Sequence, residues 1–433
     1  MPAARPAAAP REMSYLRIVA QGFVPATTAP DAVEAVRRLL AVQGQQVSAV
    51  AHALVVRAED AGGPDVDAAF ETGRLVRSWP MRGTAHITTA ADHHWLRVAL
   101  MHRTDAWTRS SEQRLGIDDS VLARAADTAL GLVAERGPVT RAALVSAWVD
   151  AGLIPATEAA GSLATGAGRR RHLIVRLHRE GVLAQGPRRG NEHLVVDARS
   201  LPGAQTGPGG TGGGARGTGG HRAALAEIAR RYATSHGPVS AADLARWTTL
   251  PVRECLQALE DAVEVTTAAG YQVDLATARV PLARATVRGG LRGAVDVLGA
   301  QGVVGRQGRA SQDSSSSVAP SDRARVRYLR ADLPELLASS RRAAGRTLFL
   351  PSFDELHVGY KDRLCLTDAA GEALICPASN GMFRPLLVDR GRLVAVRPVS
   401  EGLLWLGGQA PSARLEHDVE RVVGHVQRRL AQV

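Results

Sequence analysis

At 433 residues, 45% apolar but only 4% aromatic, the chain has room for roughly three or four compact domains with cores of Ala, Val and Leu. No run of about 18 apolar residues occurs, so no membrane-spanning helix is expected, and Met1–Arg11 lacks the apolar core of a secretory signal. The net charge of +11, from 53 basic and 42 acidic residues, suits a polyanionic partner, of which nucleic acid is the commonest. Lys361 is the only lysine; GC-rich coding explains Arg in place of Lys but not the excess of cations. Cys255, Cys365 and Cys376 are too few and scattered for a disulfide framework or zinc site, and the histidines show no ligand spacing. A cytoplasmic protein without metal or cofactor is expected, nucleoid-associated when on DNA.

In chain order, residues 13–117 form a first helix-rich unit. Asp31–Val42 and Val47–Glu59 are amphipathic helices, and Leu75–Trp79 and Thr84–Ile87 flank Pro80-Met81-Arg82-Gly83 as a wing-like hairpin. Asp92–Met101 is helical. Residues 118–202 carry Gly137-Pro138-Val139-Thr140, which stops one helix and caps the next. The helix Arg169–Glu180 follows, with Leu173, Ile174 and Leu177 on one face and Arg169, Arg170, Arg171, Arg176 and Arg179 elsewhere. Gly181 ends it. Val182–Leu183 then pairs with Leu194–Val196 around a turn bearing Arg188 and Arg189. This is the pattern of a recognition helix followed by a basic wing.

Residues 203–220 are Gly-rich, the composition of a flexible linker. At 221–300 the earlier pattern returns about one hundred residues on, as Gly237-Pro238-Val239-Ser240 running to Trp247. A recurrence of stop, buried Val and cap together marks a repeated module. Pro251 opens a further helix, and Val263–Thr267 with Tyr271–Val273 is predicted as a hairpin around Gly270. Residues 301–323, with Ser314–Ser317, read as a disordered insertion. In 324–433, Leu348–Leu350, Leu386–Val388 and Leu393–Val396 are strand-like, and Ser412–Ala431 is a closing helix. The predicted fold class is mainly α with β wings (α+β): three tandem winged-helix domains, then a β-rich C-terminal domain. Three modules in one chain can wrap double-stranded DNA without a partner, so a monomer is expected.

Several segments resemble the AlkZ-type winged-helix DNA glycosylases, a family that includes azinomycin-resistance enzymes. Gln43-Gly44-Gln45 stands where that family carries a Gln-x-Gln motif, and Arg82-Gly83-Thr84-Ala85-His86 resembles its Arg-Gly-Thr-x-His segment. Arg231-Tyr232, Gly237-Pro238 and Ala245-Arg246-Trp247 resemble its third winged helix. Leu350–Asp354, Gly359–Arg363, Asn380-Gly381, Arg384-Pro385 and Leu387–Asp389 resemble its C-terminal signature. Gly44 departs from the aliphatic residue usual there, Gln46 from the acidic residue that often follows, and Gly302–Ser321 is extra. The resemblance implies excision of alkylated purines, whether simple adducts, bulky adducts or interstrand crosslinks, in DNA repair or genotoxin self-resistance. The competing readings are a winged-helix transcription regulator, which requires a dimer and a palindromic site, and a non-catalytic DNA-binding protein.

Residues i and i+2 lie about 200° apart on a helix but share a face in an extended stretch. Gly44 has the freedom to leave helical geometry, so Gln43 and Gln45 can present two amides to one site as the candidate catalytic pair. Gln is no base at neutral pH, but its carbonyl accepts from a water and its NH₂ donates. An N7-alkylguanine or N3-alkyladenine is cationic and already a good leaving group, so positioning a water suffices for much of the catalysis. His86 is the candidate to line the site. Arg82, Arg169, Arg170, Arg171, Arg176, Arg188 and Arg189 are the expected DNA contacts, and Asp354, Asp362 and Arg363 an Asp/Arg structural network.

Overall fold

The computed structural model describes residues 11–155, 166–203, 218–268, 280–287, 295–298, 326–408 and 411–431. The linker expected at 203–220 lies outside the described residues except at its ends, and helix α10 already begins at Thr218. The insertion expected at 301–323 and Tyr271–Val273 also lie outside them.

Helix α1 (Arg11–Ala20) packs on a C-terminal helix, Leu333–Ala344. Helix α2 (Ala32–Leu39) is capped by Asp31, whose side chain accepts the Glu34 N–H. It ends earlier than its apolar pattern predicts, because Leu40 takes a positive φ of 68° and turns the chain into strand β1 (Val42–Gln43). Helices α3 (Val47–Val55) and α4 (Gly63–Glu71) follow, then the hairpin of β2 (Leu75–Met81) and β3 (Thr84–Thr89), then α5 (Ala90–Leu100). Helices α1 and α4 were not foreseen.

Helices α6 (Asp105–Leu115), α7 (Asp119–Arg136), α8 (Arg141–Asp150) and α9 (Gly166–Arg179) lead to strands β4 (Leu183–Arg189) and β5 (Glu192–Asp197). The repeat is reproduced in atomic detail. Thr140 Oγ1 accepts the Ala143 N–H at 3.1 Å, and Ser240 Oγ accepts the Asp243 N–H at 3.1 Å. The two hairpins do not stand apart as free wings. They join edge to edge, Arg77 opposite Gln185, in one five-stranded sheet of order β1-β3-β2-β4-β5, so that each covers an edge the other would expose.

Helix α10 (Thr218–His236) is the central helix, followed by α11 (Ala241–Thr248) and α12 (Val252–Thr267). The hairpin predicted from Val263–Thr267 is corrected: these residues are the last turns of α12. Cys255, Ala258, Leu259, Ala262, Val263 and Thr266 are all buried, a helical spacing that overrides the strand preference of Val and Thr. The strands of this region are β6 (Leu282–Val287), β7 (Val295–Leu298) and β8 (Val326–Arg330), in the order β7-β6-β8.

The C-terminal strands β9 (Leu348–Leu350), β10 (Leu386–Asp389), β11 (Arg392–Val396) and β12 (Leu404–Trp405) form an antiparallel sheet. The helix Ala413–Ala431 closes it through Val419, Val423 and Val426. This mixture of helices and small antiparallel sheets is the expected α+β class. The parts share cores: one cluster unites Leu40, Met81 and Trp95 with Tyr232, Trp247 and Tyr360. Two buried ion pairs cross the same boundaries, Arg231 with Asp92 at 2.6 Å and Arg57 with both oxygens of Asp354 at 2.8 Å.

Candidate active site

Gln43 enters the sheet opposite His86, and Val42 opposite Ile87. The Gly44 N–H then donates to Ala85 O at 2.9 Å, and Gly44 O accepts from Arg77 Nε at 2.7 Å. A Cβ on Gly44 would stand 2.8 Å from Ile87 Cδ1. The volume of an aliphatic residue at this point is therefore filled from the neighbouring strand. The chain bends after Gly44, leaving Gln43 partly buried and Gln45 exposed.

Both amides are held by donors, which fixes their orientation. Arg82, at the tip of the β2–β3 hairpin with φ 56°, donates from Nη2 to Gln43 Oε1 at 2.6 Å and to His86 Nε2 at 2.9 Å. The Ala85 N–H donates to Gln45 Oε1 at 3.2 Å. His86 Nδ1 lies 2.9 Å from Thr84 O, so Nδ1 carries the hydrogen and Nε2 receives Arg82. Burial, reinforced by the Arg82 charge, pushes the His86 pKa down to about 3. His86 is a neutral, fully buried ring with both nitrogens engaged.

Glu355, which packs behind Gln43, is not among the candidates that sequence pattern identifies. Its Oε1 accepts the Gln43 backbone N–H at 2.9 Å. Its Oε2 meets the Trp247 indole N–H at 3.2 Å and His236 Nε2 at 3.4 Å. Burial alone would raise the carboxyl pKa; the hydrogen bond from His236 and the Arg82 guanidinium outweigh it and hold the group at about 2. Glu355 directly follows Asp354 in the Leu350–Asp354 signature, yet nothing in spacing brings it to a residue 312 positions earlier.

The remaining candidates fall in three settings. Arg169 is bound to the carbonyls of Leu115, Gly116 and Leu153, and Arg176 to Glu112. Arg188 pairs with both oxygens of Asp67, and Arg189 with Glu71. Arg170 is partly buried and Arg171 exposed on α9. Arg246, beside Trp247, is exposed, as is Lys361. Asp354 holds Arg57 as a structural pair, whereas Arg363 bonds to Glu372 and Asp362 to the Leu364 N–H. Gln46 donates to Ser48 Oγ at 3.0 Å and lines a separate cavity of about 310 Å³ with Asn380 and Met382.

Chemically, the site offers two oriented amides. Each carbonyl oxygen has one lone pair occupied and one left to accept a water hydrogen, and each NH₂ remains a donor. Among the described residues no group of three or more His, Cys, Asp or Glu is placed to hold a metal ion, and no helix is long and apolar enough to cross a membrane.

A solved structure, the DNA glycosylase AlkZ of Streptomyces sahachiroi, has a similar fold: TM-score 0.63, 21% identity, covering 97% of this chain and 96% of that one. No curated protein matches the sequence significantly. A family model, DNA glycosylase AlkZ-like, matches residues 36–300. That span includes the Gln43-Gly44-Gln45 segment, the Arg82 hairpin and the central helix, and covers more than half the sequence; the chain belongs to the AlkZ-like DNA glycosylase family.

Proposed function

We propose that this DNA glycosylase excises cationic alkylpurines, of the N7-alkylguanine or N3-alkyladenine class, from double-stranded DNA, with Gln43 and Gln45 as the catalytic pair. The observation that carries the proposal is the kind of group the site contains. Its polar side chains are two amides, an arginine, a neutral histidine with no free nitrogen, and a carboxylate wholly enclosed. Such a set has no strong base to offer a water. It suits a bond whose leaving group is already activated by its own charge, where the transition state is oxocarbenium-like, by analogy with sugar hydrolysis. The two amides then orient the water and meet developing charge without reorganising.

DNA is proposed to approach along the basic face of α9, on which Arg171 is exposed and Arg170 partly buried. Arg170 and Arg171 on α9 are the direct phosphate contacts. Arg188 and Arg189 would exchange their carboxylate partners for phosphate, and Arg82, Arg169 and Arg176 support the surface from inside. Single-turnover release of N7-methylguanine tests the catalytic assignment. Gln43→Ala or Gln45→Ala should slow it by about 10²–10³ for the more important residue, with duplex affinity retained. Gln46→Ala, facing the other cavity, should keep most of the activity. Wild-type release by the Gln43/Gln45 double-alanine protein would overturn the assignment and move the site elsewhere.

A further inference from the structure

A carboxylate removed from water is costly unless its donors replace the solvent, and an apolar group of the same shape is often as stabilising. Glu355 is 0% exposed, and its donors come from three parts of the sequence: β1, the end of α10, and α11. A cross-brace alone would call for donors on the framework. Here one of the donors is the main-chain N–H of Gln43 itself. The same residue is gripped from its other end, since Arg82 donates to its side-chain carbonyl. Gln43 is thus pinned between an anion at its backbone and a cation at its amide. Deep in a low-dielectric setting, the fixed negative charge offsets the Arg82 guanidinium bound to the same residue, so that positive charge developing on the sugar does not face an unbalanced cation.

We propose that Glu355 is a positioning residue of the glycosylase site, which sets the Gln43 amide through its backbone N–H and biases the site toward a cationic transition state. This rests on the reading of Gln43 as a catalytic residue. Groups that orient the ligands of a bound metal from behind commonly contribute about 10–100-fold, and by analogy the same range is expected for a group that orients a catalytic amide.

Three variants test it: Glu355→Gln, Glu355→Asp and Gln43→Ala, with single-turnover release of N7-methylguanine and duplex affinity measured separately. Glu355→Gln keeps the shape and loses the charge; release should slow by about 10-fold or more, with affinity within two-fold of the parent. Because Glu355 acts in part through Gln43, Glu355→Gln should cost clearly less in the Gln43→Ala background than in the parent. A purely structural brace would give the same fold-loss in both backgrounds. If Glu355→Gln does not fold, Glu355→Asp retains the charge but shortens the reach to Gln43, and an intermediate rate is expected. Parental release by either folded variant, or full additivity with Gln43→Ala, overturns the proposal. Unimpaired release by Gln43→Ala would instead overturn the catalytic reading beneath it.

Discussion

Lowering the pH from 7 to 5 should strip this protein of most of its stability. His52, His86, His93, His178 and His193 are buried, and burial pushes His86 and His93 down to about 3 and the other three to about 4. In the unfolded chain each returns to about 6.5. Between those values the unfolded state binds protons that the native state refuses, so stability is fully present above about pH 6.5 and falls as the pH drops. Each histidine costs about 1.4 kcal/mol per pH unit, hence roughly 2 kcal/mol by pH 5. Five together amount to about 10 kcal/mol, comparable to the whole stability of an ordinary protein at about 5–15 kcal/mol. Urea unfolding from pH 7.5 to 5 reads this directly, as a steep fall in the midpoint and an uptake of several protons per molecule. Because His86 and Glu355 both titrate well below that window, base release per folded molecule should stay flat from pH 6 to 8. An unchanged urea midpoint at pH 5 would refute the reasoning.

Two further expectations concern packing and DNA contact. Gly44→Val places a Cβ against Ile87 Cδ1, and overpacking of this kind costs about 1–3 kcal/mol; Ile87→Ala in the same protein should recover part of it, measured by thermal melting of the two single variants and the double. Arg170→Ala with Arg171→Ala should weaken binding to any duplex and flatten its dependence on salt by about 0.9 in log–log slope per lost phosphate contact. Arg169→Ala, which abandons three carbonyls, should lower the melting temperature instead. An unaltered salt slope in the first variant would mean that α9 is only a solvated face.

The features legible in the sequence were those with local causes. Stop, cap and helix recurred at Gly137–Thr140 and Gly237–Ser240 because a cap needs a neighbour only three residues away. The β2–β3 and β4–β5 hairpins were readable for the same reason. What escaped was set by partners far along the chain. Val263–Thr267 has strand-like composition, but the core against α10 and β6 requires its helical face. Arg188 and Arg189 look like a basic wing until α4, itself unforeseen, supplies Asp67 and Glu71. At the site, the Gln-Gly-Gln segment and the Arg82 hairpin were recognisable, whereas the buried carboxylate behind them was not.

That division has a physical consequence for the chemistry. A free glutamine side chain must give up rotamer freedom to do useful work, at a cost of up to about 2 kcal/mol. Here the hairpin meets that cost before any substrate arrives: Arg82 and the Ala85 N–H fix the two carbonyls, and β1 seats Gln43 opposite His86. The first half of the chain therefore orders the amides, but it does not enclose them. Glu355, arriving from beyond residue 350, and Trp247, arriving from α11, close the space behind Gln43, and the Arg57–Asp354 pair locks the C-terminal sheet's loop to the turn after α3. A cationic transition state is best served where dipoles and charges are already in place and water is excluded. The Gln motif and hairpin provide the first condition, and only the distant segments provide the second. Glu355 and Trp247 close the side behind Gln43, while Gln45 stays open to solvent, the side left for a substrate in the proposed reading.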